Sequence, residues 1–196
     1  MRSPASCIGS AVSACRASDW RWSGTGREAK RISAAVAALL LLPHIPAMPL
    51  FTIGYEQAKS PAVIDELRRA GVGLVVDTRA VAASRRPGFS KRQLAAGLDE
   101  AGIAYLHLQK LGTPKKGRDA ARAGNLTRLF DLYEKHIATP DAAAQLDELT
   151  QIVKSGRPVC LLCYERDVAH CHRKRIAELI CERTGVGVEH LAAPLF

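Results

Sequence analysis

The chain has 196 residues, of which 47% are hydrophobic and only 5% aromatic, so a core must be built mainly from Leu, Val, Ile and Ala. It carries 28 Lys and Arg against 19 Asp and Glu, a formal net charge of +9. Six cysteines in a chain of this length fit neither a small disulfide scaffold nor a paired zinc ribbon, and reduced, cytoplasmic thiols are the default.

The charge divides at Met48. Residues 1–47 hold six Lys and Arg against two acids, +4, and residues 48–196 hold 22 against 17, +5. The second part is only moderately basic, which permits an anionic ligand without requiring nucleic acid. Ser10 to Arg31 is small, polar and without an amphipathic period. Ile32 to Leu42 is an apolar run too short to span a bilayer, so no membrane partner is expected. Residues 1–47 read as a leader, disordered or non-native, with Met48 a natural start for the domain. A targeting segment or an ordered helix are the alternatives.

From Leu50 the pattern becomes regular. Leu50 to Ile53 reads as a strand ending at Gly54, and Ser60–Pro61 opens a helix that Gly71 stops. Leu74 to Val76 is a buried strand ending in Asp77, followed by the polar loop TRAVAASRRPGF. Ser90 and Gln93 predict a capping box at the head of a helix burying Leu94 and Leu98. Ile103 to Leu108 alternates as a strand does. Gln109 to Gly124 is basic and Gly/Pro-bearing and reads as one long functional or mobile loop. Asn125 caps a helix carrying Leu129, Tyr133 and Ile137, and Thr139–Pro140 starts another carrying Leu146, Leu149 and Val153. Val159 to Cys163 is a strand, Tyr164 to His170 a loop, and a helix is predicted from Cys171; Val186 to Leu191 is a last strand. Strands alternating with helices predict a three-layer, Rossmann-like α/β domain over 48–196, with a mostly parallel sheet of about five strands.

The chemistry concentrates in RPVCLLCYERDVAHCHRKR, Arg157 to Arg175. Its strand–loop–helix pattern places the loop at the carboxyl edge of the sheet, where open α/β sheets bind ligands. Cys160 and Cys163 are three apart on a strand and point to opposite faces, so C-x-x-C is no metal pair here and Cys160 is core. Cys163, at the strand end, is the predicted nucleophile or redox thiol. Glu165 and His172 are the predicted proton-transfer groups, and Cys171 a possible second thiol. Asp77 and His107 end strands on the same edge and are predicted to orient or relay. Arg79, Arg85, Arg86 and Arg173 are predicted to hold an anion. Lys91–Arg92 and Arg173–Arg175 sit in first helical turns, where the macrodipole disfavours cations unless something negative binds nearby.

The stretches TIGYE (Thr52 to Glu56), VDTRA with SRRPGF (Val76 to Phe89), AGIAYLHLQKLG (Ala101 to Gly112) and LLCYERDVAHCHRKRIA (Leu161 to Ala177) resemble domain-of-unknown-function family 488. The resemblance implies a small α/β domain whose signature is Cys-x-Glu followed by Cys-His-Arg, here Cys163, Glu165, Cys171, His172 and Arg173. It implies no substrate. The family often carries His at the position of Tyr55.

Together these readings point to an enzyme with a cysteine-containing, arginine-rich pocket, without a cofactor or metal. Its substrate would be an anionic small molecule, phosphorylated or nucleotide-like, or a nucleic-acid fragment. Two alternatives stay open. One is a zinc site built on Cys163, Cys171 and His172 (or His170), against which stands the divergence of about 100° between neighbouring helical residues. The other is a non-catalytic nucleic-acid-binding module, which lacks a recognised signature and stacking aromatics.

Overall fold

The computed structural model describes residues 48–195, which fall within one compact unit, Ile45–Phe196. The expectation of a leader over residues 1–47 lies outside the described residues. Five strands form one all-parallel sheet: β1 (Leu50–Gly54), β2 (Leu74–Asp77), β3 (Ala104–His107), β4 (Val159–Cys163) and β5 (Val188–Leu191), in the order β3-β2-β4-β1-β5. β1, β2 and β4 are buried along their whole length, as continuous apolar runs require when both faces of a parallel sheet are covered. β3 and β5 form the edges and are less buried.

The strand period sorts the core into two halves. Leu50, Leu74, Val76, Val159 and Leu161 face one side, under α4 (Leu126–Ile137), α5 (Pro140–Lys154) and α6 (Arg173–Thr184). Phe51, Ile53, Val75, Cys160 and Leu162 face the other, under α1 (Ser60–Arg69) and α2 (Lys91–Glu100). This is the three-layer α/β arrangement. Among the described residues no helix is long and apolar enough to cross a membrane.

The strand order explains where a site can form. The connection after β2 leads outward to β3 on one side, and the connection after β4 leads past β1 to β5 on the other. Adjacent strands whose connections depart in opposite directions leave a crevice beyond their carboxyl ends. The segments that meet there start at Thr78 and at Tyr164.

Three local expectations differ from the structure. Gln109 to Gly124 is not an open loop: it folds as a 3₁₀ turn (Gln109–Leu111) and a helix, α3 (Lys115–Arg122). Its polar composition hid a helix whose small buried face is Gly117 and Ala120. The capping box does not form. The Ser90 hydroxyl donates to the Ser84 carbonyl, and Gln93 Oε1 accepts from the Gly88 N–H, so both side chains tie down the preceding loop instead. The last helix starts at Arg173 rather than Cys171. Cys171 is extended, at φ −123° and ψ 137°, after a 3₁₀ turn (Val168–His170) that Asp167 caps through the Ala169 N–H at 2.8 Å.

Candidate functional site

Cys163 ends β4 beside Gly54, its partner on β1. By strand parity its side chain lies on the face opposite that of Cys160, which is completely buried in the other half of the core. Because Cys171 is extended and His172 is the residue before the helix, both side chains turn back toward Cys163. The divergence of neighbouring helical residues therefore does not apply to them. His172 Nδ1 lies 3.7 Å from Cys163 Sγ and 3.9 Å from Cys171 Sγ, and the three atoms are all within 4.8 Å of one another. All three residues are buried, and the cysteines are free thiols.

The imidazole is oriented from behind. His172 Nε2 lies 3.1 Å from the Thr78 carbonyl, which can only accept, so Nε2 carries the proton. In the neutral ring Nδ1 then presents its lone pair to both sulfurs. Thr78 is fixed in turn: its N–H and its hydroxyl both donate to the Leu162 carbonyl, each at 3.1 Å. The Tyr133 ring packs 5.3 Å from the His172 ring and ties α4 to the same point, its hydroxyl donating to the Leu111 carbonyl at 2.7 Å.

The loop between β4 and α6 is clamped by charged groups. Arg173 is almost wholly buried and donates to the Glu165 carbonyl and, at 2.8 Å, to the Arg166 carbonyl. The Arg166 N–H donates to Glu56, and its guanidinium to the Ala193 carbonyl. Gly54 lets this loop pass close to β1: a Cβ there would stand 1.9 Å from the Glu165 carbonyl oxygen. Among the described residues the Nε of Arg173 has no hydrogen-bond partner, so a buried positive charge with a donor to spare stands near both sulfurs.

These surroundings split the two thiols. Burial by itself would push Cys171 up. A hydrogen bond from Cys163 and the Arg173 charge help to pull it well below the usual thiol range. Cys163 goes the other way, raised by its hydrogen bond to Cys171 and by burial. The two shifts run in opposite directions because Cys163 is the partner that donates and Cys171 the one that accepts. Glu165 is raised from its ordinary value, first by desolvation and then by the neighbouring Cys171 and Glu56.

A cavity of about 970 Å³ opens over the cluster, lined by Cys163, Cys171, His172, Tyr164 and Glu165. Arg79, Arg85 and Arg86 enter from the loop after β2, and Arg118 and Arg122 from α3. Arg118 and Arg122 were hidden in a segment whose composition reads as loop. Once α3 is recognised, their spacing of four puts them on one helical face.

The remaining predicted residues have other positions. Asp77 is completely buried and does not line the cavity. Its carboxylate takes Arg79 Nε–H at 2.8 Å, Nη2–H at 2.6 Å and the Tyr105 hydroxyl at 2.7 Å. Arg79 Nη1 donates to the Tyr55 hydroxyl at 2.8 Å and the Phe89 carbonyl at 2.9 Å. Burial works against that charge, but Asp77 more than offsets it and the guanidinium stays protonated. Arg79 is thus mostly committed to fixing the loop after β2, with Tyr55 stacked on Phe89 at 4.1 Å beneath it. His107 bonds to the Arg79 carbonyl at 2.9 Å and lines an adjoining hollow of about 520 Å³ together with Lys91 and Arg92. Arg173 clamps the loop and does not line the cavity. The cations at the head of α6 find carboxylates: Arg175 pairs with Glu134, Glu178 and Glu182, and Lys174 with Glu178.

No curated protein matches the chain, and no solved structure does. A family profile matches residues 59–180, from the start of α1 through the cysteine–histidine cluster and most of α6. Apart from Tyr55, the residues that line the cavity lie in the matched region, and the chain belongs to the family described as Domain of unknown function DUF488.

Proposed function

We propose that this protein is a cytoplasmic enzyme acting on an anionic substrate, phosphorylated as in a nucleotide or a nucleic-acid fragment. The reacting centre is Cys163, Cys171 and His172, with Glu165 as the proton-transfer group in the cavity wall. The observation that carries this reading is the lining of one cavity, which among the described residues has five arginines from two segments, a single acid, Glu165, and the cluster. Arg79 already has Asp77, and Arg122 pairs with Asp119. Arg118 is anchored by the Thr113 carbonyl at 2.8 Å and Arg86 by the Ala58 carbonyl at 3.0 Å, which orients both guanidinium groups. Guanidinium groups fixed in this way suit the fork geometry of phosphate.

Asp77 and His107 drop out of the catalytic set in this reading. Asp77 acts on the site only by fixing Arg79, and His107 faces another hollow. The test uses a phosphomonoester, a phosphodiester, a nucleoside triphosphate and a short oligonucleotide as substrates, with product followed by chromatography and binding by thermal shift. At least one should be turned over, with loss of turnover in Cys171→Ser. Arg118→Ala should weaken binding. An absence of turnover together with melting curves that no anion shifts would sink the proposal.

A further inference from the structure

We infer that Cys163 Sγ, Cys171 Sγ and His172 Nδ1 bind one thiophilic divalent ion, zinc by preference, with the fourth coordination position open to the arginine-lined cavity. Zinc bonds of about 2.3 Å to sulfur and about 2.0–2.1 Å to nitrogen put tetrahedral ligands roughly 3.6 Å apart for S and N, and roughly 3.8 Å for two sulfurs. The observed S to N separations are 3.7 and 3.9 Å, and no pair among the three atoms exceeds 4.8 Å. Both S to N separations are within a few tenths of an ångström of the tetrahedral value, so one ion can be shared by the three atoms.

The imidazole supplies the second line of evidence. A ligating histidine characteristically donates its other ring N–H to a carbonyl or carboxylate, which sets the tautomer and aims the lone pair. The Nε2–H to Thr78 carbonyl bond does this, and the lone pair so fixed falls between two sulfurs. The ligands also come from rigid places: the end of a central strand, and a loop clamped by Arg173 at the head of α6.

Three protein ligands with a cavity at the fourth position is the arrangement of a reacting zinc rather than a structural one, which closes with four. Two thiolates balance the ion's charge, so the anion is left to the arginines. Glu165 lines the same cavity and would stand near a water or substrate oxygen at the open position. The ion would supply Lewis-acid polarisation and an activated water. In that case the two sulfurs act as ligands and neither is the nucleophile. Only this last step rests on the function proposed above.

The test is metal binding by the full chain, with no substrate present. Protein purified without chelator is analysed for zinc. It is then stripped, reduced and titrated with cobalt alone. The expected result is about one ion per chain and the sulfur-to-cobalt charge-transfer and intense red-region bands of a tetrahedral thiolate site. Cys163→Ser, Cys171→Ser and His172→Gln should each weaken cobalt binding by more than the roughly 10–100-fold lost with an outer-sphere partner, and Cys181→Ser should not. The wild-type spectrum reports two-sulfur ligation directly, so a variant that fails to fold does not remove the test. No cobalt uptake by the reduced protein, or a spectrum without thiolate bands, overturns the inference. Isolation as a Cys163–Cys171 disulfide that takes up no cobalt after reduction does so too. Cobalt binding without any anion effect on melting would leave the metal site standing and remove the function proposed above.

Discussion

Replacing Asp77 by Asn separates a catalytic carboxylate from one that builds the site. The substitution is nearly isosteric, but it removes the charge opposite a guanidinium that is only 5% exposed. It also replaces one acceptor oxygen by a donor, so one of the bonds from Arg79 Nε or Nη2 becomes donor against donor. Removing one partner of a buried, hydrogen-bonded ion pair costs about 3–5 kcal/mol, because the remaining charge has no water to return to. In a domain of about 150 residues each kcal/mol moves the midpoint by about 2–4 °C, so Asp77→Asn should lower Tm by about 6–20 °C. Thermal and urea denaturation followed by circular dichroism measure this. The double variant with Arg79→Met should lose well short of the sum of the single losses, since the orphaned charge is gone. A loss below about 1 kcal/mol, or strict additivity, would refute the structural role. A carboxylate acting on substrate would instead leave Tm nearly unchanged.

Gly54→Ala should disturb the site from the strand side. Its Cβ would stand 1.9 Å from the Glu165 carbonyl oxygen, about 1.5 Å short of the 3.4 Å where ordinary contact begins, so the β4–α6 loop must move. The variant should melt lower by about 1–3 kcal/mol, the usual cost of overpacking, and lose cobalt affinity, whereas Gly187→Ala, which meets nothing within 4 Å, should do neither. His190 accepts or donates at 2.8 Å to Thr52 Oγ1, and its pKa is lowered from the ordinary 6.5, first by desolvation and then by the Arg173 charge. The unfolded chain therefore takes up this proton more readily than the folded one. Stability should fall as pH drops through about 6.5, and His190→Gln should flatten that part of the profile. An imidazole midpoint at or above 6.5 by NMR would contradict this.

Elements were legible where one-dimensional periodicity suffices. β1, β2 and β4 are unbroken apolar runs because both sheet faces are covered, and the helix stripes of α4 and α5 follow from a period of 3.6. The opposite orientation of Cys160 and Cys163 follows from strand parity and needs no coordinates. The helix at Lys115–Arg122 was not legible, because its buried face is made of small residues and its outer face is all charge.

The sequence by itself determined the α/β class, the strand parity of the cysteines and the presence of thiols, imidazoles and arginines at the carboxyl edge of the sheet. Tertiary structure decided what each of them does. Asp77 and Arg79 are two residues apart in a loop-facing motif, yet burial under Tyr55, Phe89 and Tyr105 turns them into a closed ion pair. Cys171 and His172 would point apart on a helix; the cap of the preceding 3₁₀ turn and the Arg173 clamp keep them off it and turn both toward Cys163. Strand order brings Thr78 to His172 across 94 residues of chain, and that single contact fixes the tautomer. Such pairings depend on which strands are neighbours, a property of long-range packing that local periodicity does not encode.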